Sequence, residues 1–419
     1  MKLFENRKNS LNTVSFISAC IVPLLVTGPF LPDLFLSTLS LWFLYYSLKN
    51  RLYSVYHNKY FLFFLAFCLI CILSSLLSES KIFSLKTSFF YIRIGIFAIL
   101  ISYLIEQKTK ILDYFYYIFL ITFTILIFDG YLQYFTGFNI LGYPLHPTRV
   151  SSFFENKLIL GSYLSRLFPL LFALFLTRYN KKLLEIFYFF LIFILCDILV
   201  FLAGERASFL LLNLSSIFII FFVKSFKKLR LSLFILVYAC IIFIISNNKL
   251  IYDRYITSVI NTAVIKSNES EESRIIFFSV MHDNYVRTSF NMFLDKPILG
   301  HGPNLYRVKC SDPKYGVGLA PCNTHPHNFY AQLAAETGII GLSFLIVISI
   351  FFIILIFKHI YISLFFKRQF LSDYKLCLLA GLLITIWPLT TNGNFFNNHL
   401  MLFYSLQMGF FKKNFETLK

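Results

Sequence analysis

Charged side chains are scarce in this sequence: Asp, Glu, Lys and Arg make up 14% of the 419 residues, against about 25% in soluble globular domains. Hydrophobic residues reach 58%, so the chain has too little polar surface to cover a globule of its size in water. This shortage excludes a soluble enzyme and a disordered chain, and it predicts an integral membrane protein.

Several motifs of common chemistries are also missing. The sequence has no Gly-rich phosphate loop, so direct use of ATP is not expected, and no Gly-x-Ser-x-Gly nucleophile turn. It has no internal repeat of the kind that builds transporters from inverted halves. Cys322, His325 and His327 stand close together, but no fourth ligand follows and the spacing fits no common zinc site. We therefore expect neither a metal nor another cofactor.

The net charge of +18 does not indicate nucleic-acid binding. Lys and Arg form short clusters between long apolar runs, as cytoplasmic loops of membrane proteins do, and no stripe of interleaved aromatic and basic residues appears. The distribution of these clusters predicts that both termini are cytoplasmic.

Apolar runs predict an all-α fold of about twelve transmembrane helices. The predicted spans are 13–30, 32–48, 60–78, 87–105, 111–130, 158–177, 183–203, 207–223, 231–247, 338–357, 376–392 and 397–411. They divide the chain into an N-terminal bundle (1–247), a large outward loop (248–337) and a C-terminal group of helices (338–419). A shorter outward loop is expected at 131–157. Outward loops as long as 248–337 are usually functional.

Six of the eight cysteines fall in or beside apolar spans, where they are most simply small buried hydrophobic residues. Cys310 and Cys322 instead lie in the large outward loop. Because the outer side of a bacterial inner membrane is oxidising, we expect a disulfide between them; two unpaired thiols are the alternative.

Arginines near the outer surface are the first candidates for binding an anion. Arg206 lies in a Gly-Glu-Arg-Ala turn between two spans, where a guanidinium can grip phosphate oxygens. A pair with Glu205, or snorkelling, would also explain its position. Arg149, in the shorter outward loop, is a second candidate. Arg274 and Arg287, in the large loop, are available for phosphate binding or are simply solvated charges.

The end of the large loop holds the most specific group of polar residues, Cys322-Asn-Thr-His-Pro-His-Asn-Phe329. Thr324 or His325 is a suitable helix cap, and Pro326 suits a first turn. We therefore expect His327 at a helix N-terminus, on one face with Ala331, Ala334 and Gly338. A neutral imidazole there can accept a proton from a sugar hydroxyl; a capping histidine with a hydrogen-bonded ring is the alternative.

Together these features resemble the O-antigen ligase/polymerase superfamily. The resemblance rests on about twelve spans with one late outward loop, on Pro-Ile-Leu-Gly-His-Gly at 297–302, on His327-Asn328 separated from Gly338 by nine residues, and on the turn at 204–207. It implies a GT-C-like membrane enzyme of the bacterial inner membrane with a periplasmic active site. The implied reaction is an inverting, metal-independent glycosyl transfer.

The resemblance also implies substrates and roles. The donor is a glycan on undecaprenyl pyrophosphate, and the acceptor is lipid A core for a ligase or a second lipid-linked glycan for a polymerase. His327 would activate the acceptor hydroxyl, and Arg206, with Arg274, Arg287 or Arg149, would bind the pyrophosphate. Supporting positions are Asn328, Gly338 and His325. The His-Asn-x9-Gly pattern favours a ligase. A polymerase, ligation to a protein, and a non-enzymatic flippase remain the alternatives.

Overall fold

The structure is a computed structural model in which the chain folds into helices. It describes residues 2–178, 182–264, 279–318 and 320–411. Within these ranges there is no β-strand, and only two isolated bridges occur, in the loop that follows residue 136. The fold is that of an all-α integral membrane protein, as the composition predicts.

Eighteen α-helices occur in the described ranges. In chain order they are α1 (Lys2–Ala19), α2 (Ile21–Leu24), α3 (Phe30–Lys49), α4 (Lys59–Leu76), α5 (Lys81–Phe90), α6 (Ile92–Glu106), α7 (Ile111–Thr136), α8 (Leu160–Thr177), α9 (Leu183–Leu202), α10 (Arg206–Phe222), α11 (Lys227–Asn247), α12 (Lys249–Tyr252), α13 (Ser258–Val264), α14 (Val280–Asp295), α15 (Tyr306–Lys309), α16 (Phe329–Phe365), α17 (Asp373–Thr385) and α18 (Asn398–Phe411).

Every predicted span overlaps one or more of these helices. In the described residues, eight helical segments are long and apolar enough to cross a membrane: Lys8–Thr27, Lys59–Leu76, Lys81–Glu106, Ile111–Thr136, Leu160–Thr177, Leu183–Leu202, Lys227–Asn247 and Phe329–Phe365. The other four predicted spans lie on α3, α10, α17 and α18. The span predicted at 338–357 is only part of α16, which begins nine residues earlier and contains a kink.

Helix α8 forms the centre of the bundle. It packs against α7, α9, α10 and α17, and nearly all of its residues are buried. A helix enclosed on all sides has no water for its polar groups, so these must find partners inside the protein. Arg166, less than two turns from the start of α8, is the side chain to which this applies most strongly.

The described part of the large loop is folded. It comprises α12 to α15 and the first turns of α16, and it has a small core of its own, made of Tyr285, Met292, Tyr306, Cys310, Tyr315 and Ala335. Helix α14 ends at Asp295, two residues before Pro297. The proline cannot donate the next helical hydrogen bond.

Gly338 breaks α16 into two segments. Its dihedral angles, φ +63° and ψ −166°, are not helical and are essentially restricted to glycine. Four backbone hydrogen bonds join the broken helix to the segment 297–302: His301 N to Ala335 O (3.0 Å), Gly302 N to Glu336 O (2.8 Å), Ile339 N to Pro297 O (2.8 Å) and Ile340 N to Ile298 O (3.4 Å). The hydroxyl of Ser74, on α4, lies 2.6 Å from Leu299 O and 3.0 Å from Glu336 O. The two glycine-containing motifs of the loop are therefore packed against each other.

Candidate functional site

His327 lies in the loop before α16 and not in the helix. The predicted cap at Thr324 or His325 is wrong: the N-cap is Asn328, whose side-chain oxygen accepts from the amides of Tyr330 and Ala331 at 3.0 and 3.1 Å. His327 therefore does not share a helical face with Ala331, Ala334 and Gly338. Asn328 also donates to Pro388 O at 2.8 Å, which ties the start of α16 to the end of α17.

The hydrogen bonds around His327 define which nitrogen of its ring is basic. The side-chain oxygen of Asn323 accepts from the amide of Thr324 (2.6 Å), so its NH2 group is the end that faces His327 Nε2, at 3.1 Å. Since the NH2 group only donates, Nε2 is the unprotonated nitrogen of a neutral ring. Asn323 is exposed, so the lone pair of Nε2 points toward the surface of the loop.

Two more histidines surround His327. The centroid of its ring lies 4.1 Å from that of His325 and 5.0 Å from that of His282, and it stacks on Tyr285 at 5.8 Å. Burial, and then the neighbouring His282, lowers the pKa of His327 to about 4. Burial, and then His327, lowers the pKa of His325 to about 3. All three rings are therefore neutral near pH 7, because burial also lowers the pKa of His282.

Both ring nitrogens of His325 form hydrogen bonds within the protein. Its Nε2 lies 3.2 Å from the carbonyl oxygen of Asn392, and its Nδ1 lies 2.8 Å from the hydroxyl of Thr324. A carbonyl only accepts, so Nε2 carries the proton and Nδ1 accepts from the hydroxyl. Both nitrogens are used inside the protein, which leaves His327 as the imidazole with a basic nitrogen near the surface.

Asn392, in the connector between α17 and α18, holds the histidine loop in place. Its amide donates to His327 O at 2.7 Å, where the backbone of His327 has an uncommon φ of +58°. Its side-chain oxygen accepts from Arg166 of α8 at 3.0 Å. Arg166 is 3% exposed, and one of its terminal nitrogens, Nη1, has no hydrogen-bond partner among the described residues. The buried arginine and the histidine loop are thus connected through one asparagine.

The Gly-Glu-Arg-Ala turn separates its two charges. The carboxylate of Glu205 accepts from the first-turn amides of α8, Gly161 (2.7 Å) and Ser162 (3.1 Å), and from the hydroxyl of Ser208 (2.9 Å). A carboxylate is well placed at the positive end of a helix. The side chain of Arg206, the first residue of α10, is exposed. Glu205 therefore caps α8 and leaves Arg206 to face outward.

Two further arginines pack around the same turn. Arg149 donates to Ala203 O (3.2 Å) and Leu158 O (3.0 Å), and Arg254 donates to Gly204 O through Nε (2.9 Å). A Cβ at Gly204, whose φ is +67°, would lie 2.7 Å from Arg149 Cγ and 2.9 Å from Arg254 Nε. The glycine is required because both arginines approach the backbone so closely.

Arg206 lies near His282 and near Arg254. Its positive charge lowers the pKa of His282, after the larger effect of burial, and it acts in the same direction on Arg254. The guanidinium groups of Arg149, Arg206 and Arg254, hereafter the arginine group, form a positive surface beside the histidines. Such a surface favours a multiply charged anion such as a pyrophosphate.

Arg287, another predicted anion-binding arginine, is not part of this surface. Arg287 is exposed on α14, five residues beyond His282 and so about 140° around the helix from it. The structure does not bring it to the histidines. Arg274 lies outside the described residues.

The expected disulfide joins Cys310 and Cys322, with their Cα atoms 5.0 Å apart. It fixes the chain directly before Asn323 and the histidine pair. Cys322 is therefore not available as a metal ligand. Nor do the three imidazoles converge on one point: among the described residues, no group of three His, Cys, Asp or Glu side chains is arranged to hold a metal.

Three residues of the site were missed by the sequence reasoning: His282, Arg254 and Asn392. The available signal for Arg254 was a basic residue seven positions after the end of a predicted span. The signal for His282 was weaker: it lies in the first turn of an amphipathic helix in the large loop. Asn392 had no signal of its own, because its role depends on a backbone amide.

Comparison with known proteins agrees with the sequence motifs. Residues 189–346 match the family described as O-Antigen ligase. The match contains Arg206, His282, His327 and Gly338, and it spans the large loop together with the helices on either side of it. No curated protein matches the chain.

Proposed function

Since the chain belongs to the O-antigen ligase superfamily, we propose that it is an inverting glycosyltransferase of the ligase type. It moves a glycan from undecaprenyl pyrophosphate to a sugar hydroxyl of lipid A core at the periplasmic face of the bacterial inner membrane. The family itself supports the coarser statement, a membrane glycosyltransferase that acts on lipid-linked glycans as a ligase or polymerase.

The observation that carries this proposal is the basic Nε2 of His327 at the surface of the loop, with the exposed Arg206 close to the neighbouring His282. His327 has a neutral ring whose basic Nε2 faces an exposed amide, that of Asn323. An acceptor hydroxyl that takes the place of this amide would donate a hydrogen bond to the same nitrogen. A base in this position contributes roughly a hundredfold to ten-thousandfold to the rate of a reaction.

The proposed reaction balances without a cofactor. The acceptor hydroxyl gives its proton to His327 Nε2, and its oxygen forms a bond to the anomeric carbon from the face opposite the leaving group. The bond between that carbon and the pyrophosphate oxygen breaks, and the lipid pyrophosphate leaves with the electron pair. Arg206 stabilises the developing negative charge, with Arg149 and Arg254 adding to the positive surface around it.

The distribution of charge along the helices supports a periplasmic site. Helix α10 begins at the site with Arg206 and ends at Phe222, and the basic cluster Lys224, Lys227, Lys228 and Arg230 follows at once. Helix α8 likewise begins beside Glu205 and is followed by Arg178. Short basic loops remain in the cytoplasm, so the end of the bundle that carries the histidines faces the periplasm.

The choice of a ligase over a polymerase rests on the His-Asn-x9-Gly pattern at His327, Asn328 and Gly338. A polymerase that extends lipid-linked repeats would use the same histidine and the same arginines and differ only in its acceptor. Ligation to a protein is a further possibility. A flippase is disfavoured because the polar groups described above gather at one end of the bundle instead of lining a path through it.

The test is reconstitution of the purified protein with a synthetic undecaprenyl-pyrophosphate glycan and two competing acceptors, lipid A core and a second lipid-linked repeat. The assay contains a chelator and no nucleotide. We expect product on lipid A core, and a loss of at least about a hundredfold in kcat for His327→Ala. His57→Ala is the matched control, because His57 is exposed in the connector between α3 and α4.

Each other outcome excludes a specific part of the proposal. Elongated lipid-linked glycan in place of modified lipid A core would identify a polymerase. Full turnover by His327→Ala would remove the histidine from the chemistry. Transport of the lipid-linked glycan that is unchanged in His327→Ala, with no transfer to any acceptor, would identify a flippase.

A further inference from the structure

A polar cavity lies beside the histidine loop, on the side of α3, α5 and α18. Its volume is about 510 Å³, within the range of about 300–1,000 Å³ that holds small-molecule ligands. None of the arginine group lines it. The cavity is therefore distinct from the surface that we assign to the pyrophosphate.

The lining of this cavity is rich in side-chain amides. Four asparagines contribute to it: Asn304, Asn394, Asn397 and Asn398. The amide of Asn394 is bonded to Gln332 and Asn304, so Asn397 and Asn398 are the amides that can offer donors and acceptors to the hydroxyl groups of a sugar. Phe90, Tyr91 and Phe396 provide aromatic surface in the same wall, and such surface packs against the apolar faces of sugar rings. The lining thus has the chemistry of a carbohydrate site.

The cavity is also positively charged. Lys86 and Arg307 line it with exposed side chains, and no carboxylate among the described residues forms an ion pair with either. A third cation, Arg93, forms an ion pair with Asp33 at 2.6 Å. Because Arg93 lies within a predicted span, it needs such a partner. Two cations remain for a ligand, so a glycan bound here would carry an anionic group.

The cavity is connected to the base through one stretch of chain. The connector between α17 and α18 contributes Asn394 and Asn397 to the lining, and two residues before Asn394 it contributes Asn392, whose amide holds His327 O at 2.7 Å. Asn394 also accepts from Gln332, in the first turn of α16, at 2.8 Å. The positive charge of Arg307, after burial and His327, lowers the pKa of His325, so the cavity and the histidine loop are neighbours.

We propose that this cavity binds the acceptor glycan, and that Lys86 and Arg307 recognise a phosphate or carboxylate group on it. The inference rests on the proposed function, which assigns the donor pyrophosphate to the arginine group on one side of His327. The acceptor then approaches His327 from the other side. The amides then position the sugar, while the two cations select acceptors by their charge.

The test measures the KM of each substrate separately. Lys86→Gln and Arg307→Gln should each raise the KM of the acceptor about tenfold, the effect of one charge-assisted hydrogen bond, and leave the KM of the donor unchanged. Lys81→Gln is the matched control, because Lys81 lies on the same helix as Lys86 and is exposed but does not line the cavity. It should change neither KM.

Two further acceptors identify the anionic group. Lipid A core oligosaccharide is compared with its dephosphorylated form and with its carboxyl-reduced form. The wild-type protein should lose affinity for the form that lacks the recognised group, and the double variant Lys86→Gln/Arg307→Gln should bind all three forms alike. A rise in the KM of the donor would instead assign the cavity to the donor, and unchanged KM values for both substrates would overturn the inference.

Calorimetric titration of the oligosaccharide without donor separates this inference from the proposed function. Binding that weakens in Lys86→Gln and Arg307→Gln, in a protein that transfers no glycan, would support the cavity and refute the transferase. Transfer with an unchanged KM for the acceptor in both variants would support the transferase and refute the cavity.

Discussion

Gly338→Ala is the substitution for which the structure gives the most direct expectation. A Cβ at this position would lie 2.3 Å from both the carbonyl carbon and the oxygen of Ile298, and 2.6 Å from the nitrogen of Leu299. These are backbone atoms, so no side chain can rotate to make room. The alanine can be accommodated only if the segment 297–302 moves away from the broken helix.

The expected cost has two parts. A non-glycine residue in this region of dihedral space costs about 1–3 kcal/mol. Displacement of the segment weakens the four backbone hydrogen bonds that join it to α16, and loss of one or two of them adds about 0.5–1.5 kcal/mol each. The sum is on the order of 3 kcal/mol, a large part of the stability of a typical domain.

The measurement is the thermal unfolding of the detergent-solubilised protein, with Gly142→Ala as the matched control. Gly142 also has a positive φ, +82°, but a Cβ there would meet no atom within 4 Å. The control therefore includes the conformational cost of a positive φ and omits the steric conflict. We expect the decrease in Tm for Gly338→Ala to be roughly three times that for Gly142→Ala. Equal decreases would refute the argument that close backbone packing requires this glycine.

Four other predictions concern the histidine loop. Because the pKa of His327 is lowered to about 4, kcat/KM should rise with pH through about 4 and be level above pH 6; an acid limb near 6.5 in the pH–rate profile would contradict this. A histidine in the unfolded chain has a pKa of about 6.5, so between pH 6.5 and about 4 the folded protein binds fewer protons than the unfolded chain. The free energy of unfolding should therefore fall as the pH decreases through this window. Reduction of the disulfide between Cys310 and Cys322 should destabilise the loop by roughly 3 kcal/mol, which unfolding with and without reductant measures; identical curves would show that the disulfide is dispensable. Arg166→Gln, which breaks the contact with Asn392, should lower kcat about tenfold and leave both KM values unchanged, with Arg166→Lys partly restoring it; a change in thermal stability alone would indicate a purely structural arginine.

The fold was largely predictable because hydropathy is a local property. Each predicted span overlaps a helix, and the end of α14 before Pro297 follows from the missing amide of proline. The disulfide between Cys310 and Cys322 was expected from the compartment and the loop alone. These features depend on composition and on neighbours in the sequence.

The site was less predictable because its contacts join distant parts of the chain. Thr324-His325-Pro326 is typical of a helix start, but the side chain of Asn328 reaches the free amides of α16 and the helix begins there. Asn392 contacts His327 across 65 positions through a peptide group, and any residue other than proline has such a group to offer. A single sequence carries no sign of that contact.

The anchoring of the large loop has a consequence for the passage of substrates. Ser74, on transmembrane helix α4, contacts both sides of the junction between the segment 297–302 and α16. Lifting the segment away would break this contact and four backbone hydrogen bonds at about 1 kcal/mol each, which would leave an open population on the order of one in five thousand. The junction is thus a fixed wall of the site and not a lid. Under the proposed function, glycans of any length would meet the same wall at this junction.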